Sequence, residues 1–202
     1  MDPKFLLTEE DFERAATTLG CSVSVIKAVS QVESAGSGVN PDGTLKTLFE
    51  GHYFSRFTDN KYDTEYPSIS YPKWTREYYG KGWKAEQARL EQAKVLDLEA
   101  ALRSASWGMF QIMGDNYKLC GYNSVIEFVN ALQDGAGPQL DAFVSFIQNK
   151  HLEDELRNLN WEGFARVYNG SGQVAAYGKL LADAYAKIKS QSSDDTLTST
   201  PT

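Results

Sequence analysis

Two glutamates stand where a carboxyl group could do chemistry. Glu33 follows Val29 by four residues and Ile26 by seven, so its side chain lies against the buried face of a helix that ends at Ser34-Ala35-Gly36. Apolar surroundings and the negative end of the helix dipole both disfavour the carboxylate. A glutamic acid that keeps its proton near neutral pH can serve as a general acid towards a departing glycosidic oxygen. Position alone leaves the alternative open that Glu33 frays into solvent at a helix end. Glu50 stands in Leu48-Phe49-Glu50-Gly51-His52, a poor setting for a charge without a task or a partner. Cleavage of a glycosidic bond commonly uses two carboxyl groups, which makes Glu50 the leading candidate for the second. A buried ion pair that fixes the loop is its competing reading. Asp59 and Asp63 follow as weaker candidates, since loop aspartates are mostly turn formers.

The chain contains His52 and His151 as its only histidines, no HExxH and no cysteine pair at ligand spacing, so no metal site is assigned. Tyr53, Phe54, Phe57, Tyr62, Tyr66, Tyr71, Trp74, Tyr78, Tyr79 and Trp83 crowd the stretch after Glu50. Aromatic faces suit the C–H surfaces of sugars. More than half of these rings are nevertheless expected in the core, and Trp107 is expected to pack under the turn at Gly108.

The elements that must position these residues are mainly helical. Thr8 with Asp11 caps a helix over about 9 to 19 that Gly20 closes, and Ser22 opens a second running to Glu33. From Ser34 to about Trp83 the chain carries three of its six prolines, several glycines and the aromatics, which predicts loops and a short hairpin around Leu45 to Phe54. Helix resumes over about 84 to 103, with Ala88, Val95, Leu96 and Leu102 as its apolar residues, and Gly108 to Met113 enters a further turn or short helix. Ser124 and Glu127 start a helix to Leu132, Pro138 the next, and Asn160 one through Tyr168. A last helix places Tyr177, Leu180, Leu181, Ala184, Tyr185 and Ile188 on one face.

A chain of 202 residues with 42% hydrophobic content fits one domain, here residues 1–189, followed by a polar tail over 190–202 that reads as disordered. A formal charge of -7 without a Lys/Arg block excludes nucleic acid and an anionic membrane as partners. No apolar run reads as a signal peptide or a membrane span, so synthesis in the cytoplasm is expected, with delivery to a cell wall by other means such as a phage lysis pore or a contractile secretion device. Cys21 and Cys120 could form at most one bridge, and two reduced thiols are the expected state.

Three motifs occur in order: Val32-Glu33-Ser34, Ser106-Trp107-Gly108-Met109-Phe110-Gln111-Ile112-Met113, and Val167-Tyr168-Asn169-Gly170. They resemble the motifs of goose-type lysozymes and lytic transglycosylases. More closely, Leu48-Phe49-Glu50-Gly51-His52-Tyr53-Phe54 and Ala105 to Tyr117 resemble the N-acetylmuramidase domain of phage endolysins and some bacterial wall-lytic proteins, over roughly residues 8 to 188.

The resemblance implies a mainly α, lysozyme-like domain with a small irregular or β-hairpin region beside a glycan groove. Its implied activity is hydrolysis of the bond between N-acetylmuramic acid and N-acetylglucosamine in bacterial peptidoglycan. It implies that Glu33 is the catalytic acid, Gln111 lines the groove, Tyr168 hydrogen-bonds the acid or a sugar, and Asn169 accompanies it, with Ser34 and His52 as further substrate-binding positions. Tyr168 as a core residue, and Asn169-Gly170 as a plain helix terminus, remain open beside these roles. Gly51 departs from the family pattern, where an arginine is expected, and this touches only a local salt bridge. A lytic transglycosylase ending in anhydro-sugars and a non-catalytic glycan-binding module are the alternatives. A monomer is expected, with an immunity protein as partner if the chain is a secreted toxin.

Overall fold

The computed structural model describes residues 2–34, 37–170 and 172–197, the side chains of Ser34 and of 192–197 excepted. Helix α1 (Glu9–Leu19) starts on a complete capping box, with the Asp11 N–H donating to Thr8 Oγ1 and the Thr8 N–H to Asp11 Oδ2. It stops at Gly20, whose φ of 68° lets its N–H reach the Ala16 and Thr17 carbonyls. Helix α2 (Val23–Ser34) buries Val25, Ile26, Ala28 and Val29 and carries Glu33 as its penultimate residue.

Strand β1 (Thr47–Phe49) comes next, followed directly by α3 (Gly51–Phe57). The expected hairpin over 45–54 is therefore not formed, because helix begins at Gly51 where a return strand would have to run. A Cβ at position 51 would collide with the Ile69 carbonyl and the Tyr71 ring, so the close approach of that loop requires glycine where an arginine was expected.

The predicted helix over 84–103 is two helices, α4 (Trp83–Leu96) and α5 (Leu98–Arg103). Asp97 divides them: its extended backbone ends α4, and its carboxylate accepts the Ala100 N–H at 2.9 Å to cap α5. Val95 is 87% exposed, against the expectation from its apolar side chain; the buried face of α4 is Glu86, Arg89, Leu90 and Ala93. Strands β2 (Ala105–Trp107) and β3 (Ile112–Met113) form a hairpin across Gly108 to Gln111. Antiparallel pairing of Thr47 with Trp107 and Phe49 with Ala105 adds β1 to give the order β1-β2-β3.

Helices α6 (Val125–Asp134), α7 (Ala136–Asn149), α8 (Glu153–Arg157), α9 (Trp161–Tyr168) and α10 (Val174–Leu197) complete the chain. Ser124 caps α6 and Asn160 caps α9 through their side-chain oxygens. Neither glycine nor proline interrupts 190–197, and α10 runs through Leu197, past the boundary near 189 at which regular structure was expected to end. Residues 198–202 lie outside the described residues.

The chain divides into two compact units. One comprises Met1–Leu6 and Ser37–Phe146, the other Leu7–Gly36 and Ile147–Thr202. The first holds the small sheet, with Phe49, Phe54, Leu90, Phe110, Phe128, Leu140 and Phe143 fully buried. The second is a helical assembly in which α10 packs along both α2 and α9, around Leu19, Ile26, Val29, Leu156, Phe164 and Leu181. Leu180, expected on the buried face of α10, is 55% exposed, since α10 turns Tyr177, Leu181 and Ala184 inward instead. Among the described residues no helix is long and apolar enough to cross a membrane, and both cysteines are free thiols.

Candidate active site

In the helical unit, the packing of α10 on α2 brings Tyr177 onto Glu33, and the tyrosine hydroxyl donates to Glu33 Oε1. Asn169, the residue that ends α9, sets its side-chain amide beside both the Glu33 carboxyl and the Tyr177 hydroxyl. Burial raises the pKa of Glu33, and the Tyr177 hydroxyl and the Asn169 amide pull it down by favouring the carboxylate; burial prevails, and the pKa moves from 4.5 to about 7. Burial, together with the Glu33 charge beside it, pushes the Tyr177 phenol above its ordinary value, so it remains a donor throughout the pH range of life. A carboxyl that is half protonated at pH 7 and held by the Tyr177 hydroxyl can deliver a proton to a leaving oxygen.

The other sequence-derived positions of this unit divide. Asn169 joins the Glu33 cluster although it also serves as a helix terminus, with Gly170 following at a φ of 83°. Tyr168 is half-buried, and its ring stacks on Phe164 with 5.0 Å between centroids. The hydroxyl found on the acid is that of Tyr177, which the periodicity of α10 had marked only as an apolar-face residue. Its signal was available: a tyrosine turned inward on a helix needs a partner for its hydroxyl. The side chain of Ser34 lies outside the described residues.

In the sheet-bearing unit, Glu50 sits between β1 and α3, and both its oxygens accept from the Tyr79 hydroxyl, at 2.8 and 2.9 Å. Burial raises the Glu50 pKa, opposed by Tyr79 and by Arg89. His52 places Nδ1 3.4 Å from Glu50 Oε2, buried and without a hydrogen-bond partner. Burial and the nearby Arg56 lower the His52 pKa, so the ring is neutral at pH 7 and the contact is no ion pair. The buried ion pair that fixes this loop is formed by two other residues, Glu86 and Arg89, at 3.0 Å. Glu86 accepts the N–H groups of Phe49 and Gly80, while Arg89 donates to the carbonyls of Phe49 and Ser68, so one pair ties β1 and two loop segments to α4. Neither residue was singled out from the sequence, because an i, i+3 Glu–Arg pair on a helix usually marks a solvated face.

Gln111 occupies the hairpin turn at a φ of 46°, with Nε2 donating to the Gly108 carbonyl at 2.8 Å and more weakly to that of Lys46 at 3.4 Å. The turn rests on Gln139, which is 2% exposed: its Oε1 accepts the Met109 N–H and its Nε2 donates to the Leu132 carbonyl at 2.9 Å. Gly108 has a φ of 68° and lies so close to Gln139 that a Cβ there would overlap the amide. Trp107 is buried in this corner, its indole N–H donating to the Leu102 carbonyl at 2.9 Å. Of the ten rings between Tyr53 and Trp83, only Phe54 and Tyr71 are buried; seven are half-buried and Trp74 is exposed, fewer in the core than expected.

Residues 22–189 match the model of the N-acetylmuramidase family. The crystal structure of the Burkholderia AP3 phage endolysin matches with a TM-score of 0.84 and 36% sequence identity, over 95% of this chain and 73% of that one. No curated protein matches. With the family model covering most of its length and a solved endolysin similar to it in fold and 36% identical in sequence, this chain belongs to the N-acetylmuramidase family and is a peptidoglycan-hydrolysing glycosidase.

Proposed function

We propose that Glu33 is the general acid of this muramidase and that the bond it breaks joins N-acetylmuramic acid to N-acetylglucosamine in peptidoglycan. The observation that carries the assignment is the proton held on Glu33 up to about pH 7 by burial, with Tyr177 and Asn169 fixing the carboxyl. The proton passes from Glu33 to the bridging oxygen as the bond from the anomeric carbon breaks. Water adds to that carbon, leaving a reducing end on one sugar and a free hydroxyl on the other. Glu50 is the candidate for the second carboxylate, taking the proton that the water loses; Tyr79 stabilises its charged form by donating to both oxygens. Gln111, His52, Ser34, Asn169 and Tyr168 are the positions assigned to substrate contact.

The matched AP3 protein is a phage endolysin, which supports a lytic role on the bacterial wall for this chain as well. We further assign it a monomeric state; an immunity protein enters as a partner only if the chain is delivered as a toxin.

Mass spectrometry of muropeptides released by the wild type, Glu33→Gln and Glu50→Gln tests the assignment. The wild type yields reducing ends, Glu33→Gln yields none, and Glu50→Gln is strongly impaired. Anhydro ends from the wild type would instead make the enzyme a lytic transglycosylase, and undiminished release by Glu33→Gln would remove Glu33 from the chemistry.

A further inference from the structure

We propose that Trp74 is a sugar-stacking platform that binds an N-acetylhexosamine ring of the glycan strand beside Glu50. The proposal rests on the glycosidase reading above and adds a binding position to it.

Trp74 is the most exposed aromatic side chain of the sheet-bearing unit, at 58%. The indole is a large, flat apolar face left open to solvent, with a polar N–H at its rim. It also borders the cluster around Glu50. Its indole lies beside the Tyr79 hydroxyl, and that hydroxyl donates to both oxygens of Glu50. Arg76 lies over the same ring at 5.6 Å from its centroid, and its charge acts on Glu50. Four side chains thus form one cluster in which the only large apolar surface left open is the indole.

Carbohydrate rings present a polar rim and an apolar C–H face, and a rigid aromatic plane next to a charged, hydrogen-bonding group matches both. A peptide or an apolar protein surface would not need the carboxylate, tyrosine and guanidinium at the edge of the platform.

The experiment measures steady-state release of reducing ends from soluble glycan strands freed of stem peptides, for the wild type, Trp74→Ala and Trp74→Phe. Trp74→Ala raises KM about tenfold with kcat changed less than twofold, while Trp74→Phe, which keeps a ring face, stays within about threefold of the wild-type KM. In the Glu33→Gln background the same strands quench the indole emission, and Trp74→Phe abolishes that quenching. An unchanged KM for Trp74→Ala in an active wild-type preparation overturns the platform and leaves the glycosidase reading intact. A wild type that releases no reducing ends overturns both. Because Trp74 is exposed, its truncation leaves the core untouched, and the phenylalanine variant separates loss of the ring face from loss of the N–H.

Discussion

Replacing Glu33 by glutamine should stabilise the protein at alkaline pH while removing its activity. Glutamine keeps an oxygen that can accept from Tyr177 and Asn169, fills nearly the same volume and cannot ionise. The wild-type carboxyl binds its proton more tightly in the folded chain, where its pKa is about 7, than in the unfolded chain, where the ordinary value is 4.5. Between those two values the folded state holds more protons than the unfolded state, so stability falls as pH rises. The contribution of this carboxyl is complete below pH 4.5, is lost progressively up to about 7, and stays lost above it. From 4.5 to about 7 is about 2.5 pH units, and at about 1.36 kcal/mol each the loss reaches roughly 3 kcal/mol.

The glutamine variant escapes that loss. For a chain of this length a stability difference of about 3 kcal/mol corresponds to roughly 6–12 °C in Tm. Melting curves of wild type and Glu33→Gln recorded at pH 4 and at pH 8 measure it, the quantity of interest being how much the gap between them widens in favour of the variant. Turnover of peptidoglycan by the same samples should fall by about 10²- to 10⁴-fold, the range for loss of a general acid. A gap that is flat from pH 4 to pH 8 would mean that the Glu33 carboxyl titrates in the ordinary range, and the argument from burial would be refuted.

Other perturbations give further expected outcomes. Tyr177→Phe removes a donor that favours the Glu33 carboxylate, so the alkaline limb of the pH–rate profile moves upward by about one unit; a limb that moves down contradicts the assigned hydrogen bond. Arg89→Leu leaves Glu86 charged and buried, at a cost of about 3–5 kcal/mol in urea unfolding, and a loss below about 1 kcal/mol would show that the pair does not hold β1 to α4. Gln139→Leu strands the Met109 N–H and the Leu132 carbonyl, costs about 2–4 kcal/mol, and lowers activity through the Gln111 turn; full activity in a folded variant would detach Gln111 from the site.

The parts of this fold that were legible in the sequence are those set by local chemistry. Thr8 with Asp11, Gly20, Ser124 and Asn160 each act within four residues, and each is found capping or closing the helix assigned to it. Non-local pairing was not legible. Strand β1 finds its partner at Ala105 to Trp107, and nothing within 45–54 distinguishes that pairing from a hairpin closed on itself. Helix α4 hides its burial for the opposite reason: its inward face carries Glu86 and Arg89 while Val95 points to water, so hydrophobic periodicity misreads it. Glu33 was legible as a candidate acid because it follows an apolar face at helical spacing and stands in the Val32-Glu33-Ser34 motif. Its hydroxyl partner was not, since Tyr177 is separated from it by 144 residues and Tyr168 carries the family motif.

The pKa of Glu33 is the difference between two opposing effects, and both come from the same packing. When α10 lies on α2, it removes water from the carboxyl, which raises the pKa, and it delivers the Tyr177 hydroxyl, which lowers it. Loss of the hydroxyl alone therefore moves the pKa up, whereas loosening of α10 readmits water and moves it back towards 4.5. The two failures have opposite signatures in a pH–rate profile, even though each reduces activity. Substitutions along the α2–α10 contact, such as Leu181→Ala, should draw the alkaline limb downward, and Tyr177→Phe should draw it upward. That opposition follows from desolvation being the larger of the two effects, and a common direction for both variants would reverse their order.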